Sequence, residues 1–144
     1  MFEAGVRAHF LASRAAAPLL MENRDRRPGL IVHTLAWGFG TFLGNVLYDT
    51  AKAATARLAF GTAEQLRPYQ VAVVALAPGH LGATETPEYL GRAVATLAAD
   101  ADVLTKTGAL FAVGELAREY GFTDLDGTQP EAWGLPTEAR DDDA

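Results

Sequence analysis

The sequence predicts an α/β fold built on a doubly wound parallel sheet, and three features carry that expectation. Val71-Ala72-Val73-Val74-Ala75-Leu76-Ala77 is an unbroken apolar run stopped by Pro78-Gly79, the pattern of a parallel strand covered on both faces. Leu30 to Leu35 is a second short run rich in β-branched residues, bounded by Pro28-Gly29 and by a glycine-rich stretch. Around these runs lie segments whose apolar residues recur at helical spacing, so helices and strands alternate along the chain.

From Phe2 to about Asn23, the residues Val6, Phe10, Ala17 and Leu20 recur with a helical period and predict a first helix, kinked at Pro18. Polar residues then lead into Leu30–Leu35, read as a buried strand. Asn45 is suited to cap a second helix, which carries Leu47, Ala51, Ala54 and Leu58 on one face and runs to about Leu66, before Arg67-Pro68. After the strand Val71–Ala77 and a polar loop, a helix is expected from about Pro87 to Ala99, and then a third apolar run, Ala109-Leu110-Phe111-Ala112-Val113. The domain is expected to span residues 1–130. Residues 131–144, ending in Asp141-Asp142-Asp143, read as a disordered acidic tail, because clustered like charges with few apolar side chains bury too little to pack.

Composition narrows the function classes. A chain of 144 residues with 49% hydrophobic content is one globular domain with a real core. A formal charge of -6 without a cluster of Lys and Arg argues against a nucleic-acid surface. The absence of cysteine excludes disulfides and thiolate chemistry. His9, His33 and His80 are too scattered along the sequence for a metal set, so no metal is expected and each reads as structural or solvent-facing. No apolar run reaches the ~18 residues of a membrane span, and the N-terminus lacks a basic segment followed by an apolar one. A cytoplasmic chain that is not exported, with no membrane partner, is the expectation.

One spacing carries chemistry. Tyr48 and Lys52 lie four residues apart near the start of the second helix, hence on one face of it. An open parallel sheet places ligands beyond the carboxyl ends of its strands, so the loops after Leu35 and after Ala77 should border any site. A phenol is a poor base at neutral pH, but a neighbouring ammonium favours its charged form. Such a pair can donate or accept a proton at an alcohol or carbonyl oxygen. The spacing also occurs by chance on plain helix surfaces, and context has to decide.

That context is a resemblance to the short-chain dehydrogenase/reductase family. It rests on Gly29-Leu30-Ile31-Val32 as a strand, Tyr48 to Lys52 opening the next helix, Glu64-Gln65-Leu66-Arg67-Pro68 closing it, and Val71 to Ala77 leading into Pro78-Gly79. The stretch Gly114 to Gly127, with Leu116-Ala117-Arg118-Glu119-Tyr120-Gly121 and Asp124-Leu125-Asp126-Gly127, resembles the branch typified by dehydrogenase/reductase family member one. The resemblance implies the C-terminal half of a Rossmann-like sheet, with Tyr48 and Lys52 as the catalytic pair and NAD or NADP as cofactor. It places Lys52 on the ribose, Pro78 and Gly79 beside the nicotinamide, and Thr84 on the nicotinamide amide or a phosphate. The family's opening βαβ units, whose Gly-x-x-x-Gly-x-Gly turn holds the pyrophosphate on a helix N-terminus, have no counterpart, so ~100 residues of an ordinary domain are expected to be missing. Gly38 to Gly44 has its glycines in the wrong order to replace that turn.

Further departures touch the chemistry. The family's serine lies thirteen positions before the tyrosine, where this chain has Leu35. Thr34 is one residue off, which in a strand turns its side chain to the other face, and Thr41 is a stand-in within the loop. The family's asparagine in the preceding helix is replaced at Gly5, which removes the side chain of the usual water-mediated proton relay. Thr34, Leu35, Trp37, Thr41 and His80 are the candidate lining of a substrate pocket, with Trp37 and Phe39 open to a core role instead. Two readings follow. The chain is the catalytic half of an NAD(P)-dependent oxidoreductase acting on a small alcohol or carbonyl compound, or a non-catalytic remnant that associates as a homo-oligomer through its two long helices.

Overall fold

The computed structural model describes residues 1–22, 27–36, 42–79 and 84–132. Three parallel strands, β1 (Gly29–Thr34), β2 (Val71–Ala77) and β3 (Leu110–Ala112), form one sheet in that order. Gly29 pairs with Val71 and Thr34 with Leu76, while Ala75 to Ala77 pair with Leu110 to Ala112. Among the described residues four α-helices flank it: α1 (Ala8–Glu22), α2 (Val46–Leu66), α3 (Pro87–Ala99) and α4 (Val113–Tyr120). A π-helical turn at Glu3–Arg7 leads into α1.

Every residue of β2 is buried, and its alternating side chains feed two cores. Val71, Val73, Ala75 and Ala77 pack with Leu35 and with Ala59, Ala63 and Leu66 of α2, supported by Ala17, Leu20 and Met21 of α1. Ala72, Val74 and Leu76 pack with Tyr89, Ala93 and Leu97 of α3 and with Leu116 and Ala117 of α4. The strand order advances in one direction while the crossover helices α2 and α3 lie on opposite faces. The two crossovers are therefore of opposite hand, and one departs from the right-handed preference. This is the arrangement that covers β2 on both faces.

The expected α/β class and strand positions agree with the structure, and several details differ. The inward face of α2 is Ala51, Thr55, Ala59, Ala63 and Leu66, not the face read from Leu47, Ala51, Ala54 and Leu58: Leu47 is 62% exposed. Small side chains at every fourth position let the helix lie close to the sheet. In α1 the only buried residue is Ser13, and Phe10 faces outward. β1 is half-buried instead of buried, with no strand on its outer edge among the described residues. The third apolar run divides, with Leu110–Ala112 a strand and Val113 opening α4. Of the expected tail, residues 131 and 132 are described and 133–144 lie outside the described residues.

The segment after α4 is tied down by specific bonds. Gly121 ends the helix at φ +74°, a conformation that favours glycine. Asp124 then accepts hydrogen bonds from the Thr86 and Leu125 amides at 2.9 and 2.7 Å and from the Thr86 hydroxyl. Arg92 donates to the Thr123 carbonyl at 2.5 Å, and Gln129 to the carbonyls of Ala117 and Phe122 at 3.0 and 2.8 Å. Thr86 is also the N-cap of α3, accepting from the Tyr89 amide at 3.2 Å, so Asp124 fastens the C-terminal segment to the start of a core helix. Burial pushes the Asp124 carboxyl up, but these bonds, with Arg92 nearby, hold it below the usual carboxylate range. Asp124→Ala should lower stability by about 2–3 kcal/mol, because buried bonds to a charged acceptor are lost, with Asp124→Asn losing less. Urea unfolding monitored by circular dichroism checks both.

Candidate active site

The start of α2 is built to present Tyr48. Asn45, in extended conformation, caps the helix as expected, and its side-chain oxygen accepts from the Tyr48 amide at 3.0 Å. Tyr48 therefore sits in the first turn, beside the carboxyl end of β1, and Lys52 lies one turn further on the same face. The Lys52 ammonium is 5.3 Å from the centre of the Tyr48 ring, within cation–π range. Both side chains are half-buried. The neighbouring Ala51 and Thr55 are buried. Thr55 donates to the Ala51 carbonyl at 2.9 Å and to that of Gly5 at 3.3 Å, and a Cβ at Gly5 would lie 3.9 Å from Ala51 Cβ.

The other candidates separate. Leu35 is 2% exposed and belongs to the α1/α2 core, whereas Thr34 is exposed, consistent with the alternation of a strand. Pro78 and Gly79 follow β2 at the same end of the sheet, and Thr84 is exposed beyond them. Trp37, Thr41 and His80 lie outside the described residues, as do Gly38, Phe39 and Gly40.

Two features of the site had no clear sequence signal. The Gly79 amide donates to Glu85 Oε2 at 2.8 Å, and a Cβ on Gly79 would stand 2.7 Å from Glu85 Oε1. The 3%-exposed carboxylate of Glu85 thus occupies the space beside the Pro-Gly turn. Lys52 offers an ammonium next to Tyr48 and fits a ribose hydroxyl. The Gly79 side does not fit a nicotinamide equally well, because its amide and adjoining space are already taken.

The second feature is a histidine pair. His9 Nδ1 and His33 Nδ1 are 3.1 Å apart, and His33 Nε2 is 3.2 Å from Ser13 Oγ. The ring centres are 5.1 Å apart with 22° between planes. That separation exceeds the nitrogen–nitrogen distance by nearly two ring radii, so the rings meet nitrogen to nitrogen and not face to face. His9 and His33, far apart in sequence, are neighbours, but among the described residues no group of three or more potential ligands could hold a metal. Burial and then the adjacent His9 lower His33 to about 4, while burial and then the Lys52 charge lower His9. No described helix is long and apolar enough to cross a membrane.

A parallel sheet with helices on both faces and a tyrosine–lysine pair at its carboxyl end defines a Rossmann-like dehydrogenase domain in part. Residues 1–95 match the short chain dehydrogenase family, and the chain belongs to that family, whose domain is of the oxidoreductase type. It is 31% identical to the mouse and human proteins called dehydrogenase/reductase SDR family member 1, over 85% of this chain and 47% of each relative. The chain thus spans about half the length of these relatives. The alignment covers 150 positions, more than the 144 residues of the chain, so the relatives carry insertions within the matched stretch.

The cap sets the position of Tyr48. Asn45→Ala should cost about 1 kcal/mol and speed amide exchange at residues 46–49 without loosening β2. Hydrogen–deuterium exchange resolved by peptide measures both.

Proposed function

We propose that this chain supplies the acid/base half of an NAD(P)-dependent short-chain dehydrogenase/reductase acting on a small alcohol or carbonyl compound. The observation that carries it is Tyr48, held by the Asn45 cap at the carboxyl end of the sheet with the Lys52 ammonium beside its ring. In the reducing direction the Tyr48 hydroxyl gives its proton to the carbonyl oxygen as the carbon becomes that of an alcohol. In the oxidising direction its oxygen takes the alcohol proton. A bound nicotinamide would supply or receive the hydride. Lys52 would hold a ribose hydroxyl and set the local positive charge, and Leu35 leaves the substrate oxygen without the hydroxyl the family places there.

The nucleotide contacts available within the chain are few, so the chain alone should bind NADH or NADPH no tighter than ~1 mM, as calorimetry would show. Joined behind the nucleotide-binding half of a full-length relative, it should turn over. Tyr48→Phe, which keeps the ring but removes the oxygen, should then lower kcat by about 100-fold with stability little changed. An active fusion whose rate ignores Tyr48→Phe would assign the proton to another residue.

A second reading is favoured by the surface. Phe10, Leu11 and Leu19 of α1 and Phe60 of α2 are 40% or more exposed, and β1 has an open outer edge among the described residues. These features support a chain that associates with itself through its long helices or its sheet edge, whether or not it is catalytic. Sedimentation should show dimers or larger species, weakened by replacing Leu19 and Phe60 with lysine. A monomer at all concentrations overturns this reading.

A further inference from the structure

We propose that the His9–His33 pair is an acid-releasable latch, which fastens α1 onto β1 at neutral pH and lets it go when both imidazoles carry an extra proton. The argument begins with the protons. With both rings neutral, two arrangements satisfy the contacts. His9 Nδ1–H donates to His33 Nδ1 while His33 Nε2–H donates to Ser13 Oγ, or His33 Nδ1–H donates to His9 Nδ1 while the Ser13 hydroxyl donates to His33 Nε2. Either leaves both ring nitrogens of the 1%-exposed His33 bonded. One added proton goes to the half-buried His9 and the bond survives, with His9 as donor. A second puts an N–H on each of two nitrogens 3.1 Å apart, and the bond becomes a contact between two cations.

Among the described residues that act on the pair, none is an anion that could offset that charge. From α1 the pair is met by the neutral Ser13. From α2 it is met by Lys52, whose charge opposes protonation of His9. Beside His33 in the sheet stands Ala75. The acidic Glu3 in the preceding turn is exposed and paired with Arg7 at 2.8 Å. Releasing α1 gives both rings water, at the cost of uncovering Ala17, Leu20 and Met21 over the core.

The sign follows. His33 is lowered in the folded chain to about 4 from the ordinary 6.5, so the stabilisation is complete above pH 6.5 and is lost as pH falls from 6.5 toward 4. The released state binds the extra proton across that window. For His33 alone, the population of open α1 should rise about tenfold between pH 7.5 and 5.5, a range that stays above the isoelectric point near 4.9.

Hydrogen–deuterium exchange on the intact chain, corrected for intrinsic rates, tests this. Protection of residues 8–22 should fall about tenfold over that range, while residues 71–77 keep theirs. His33→Leu should abolish the dependence. If that variant does not fold, His9→Phe, on the more exposed side of the pair, should make the dependence shallower and leave the part that burial of His33 causes. Nitrogen-15 spectra of the wild-type imidazoles should show a shared Nδ1 proton at pH 7.5. Unchanged protection of α1, a slope that persists without the histidines, or two rings titrating independently near 6.5 would each overturn the latch.

Discussion

β2 has helices on both faces and strands on both edges, so its backbone donors and acceptors can be satisfied only by neighbours and never by water. On one side β1 supplies partners along six residue pairs. On the other, β3 reaches only Ala75 to Ala77, and the turn before it completes the set. The Thr107 hydroxyl accepts from the Val73 amide at 2.9 Å, the Gly108 amide donates to the Val73 carbonyl at 2.8 Å, and the Ala75 amide donates to the Ala109 carbonyl at 3.0 Å. This accounting fixes where the chain can run. It places the ends of β1 and β2 side by side, and with them the start of α2 and the Pro78–Gly79 turn.

How much was legible in the sequence follows from the range of each interaction. The burial of Val71–Ala77 on both faces is written in seven consecutive residues, and the cap at Asn45 in four. Those readings needed only local physics, and so did the placing of Tyr48 and Lys52 on one helix face. The inward face of α2 was misread because burial there falls on Ala51, Thr55, Ala59 and Ala63, small residues chosen for close approach, while Leu47 points to solvent. A hydrophobicity pattern weights the leucine and misses the helix–sheet distance that decides. α4 was hidden for a similar reason. Val113 extends an apolar run, yet the helix begins there, with Glu115 reaching back to accept from the Ala112 amide at 2.9 Å. Only that half of a capping box exists, since alanine has no side-chain oxygen.

Contacts between distant residues were not legible. Glu85 reaches the Gly79 amide across 6 positions, and Asp124 reaches Thr86 across 38. Neither pairing has a sequence signature, because an acidic residue outside a helix or strand reads first as surface. Gly114 is similar. A Cβ there would stand 2.6 Å from the Ala132 amide nitrogen and 2.8 Å from the Pro130 carbonyl oxygen, so the glycine admits the returning C-terminal segment. Its need appears only once that segment is in place.

The histidine pair and the tyrosine–lysine pair meet at Lys52. Alternation along β1 puts His33 and Leu35 on the same face as α2 and turns Thr34 away. The polar group that this strand offers on the helix side is therefore an imidazole at position 33, and the apolar Leu35 follows on the same face. Ser13 and His9 satisfy that imidazole from α1, and the Lys52 charge favours the neutral form of His9. Lys52 thus acts in two directions, toward the Tyr48 ring on its own helix and toward the contact that holds α1 against the sheet. One ammonium therefore stands beside both the candidate acid/base group and the histidine contact between α1 and the sheet.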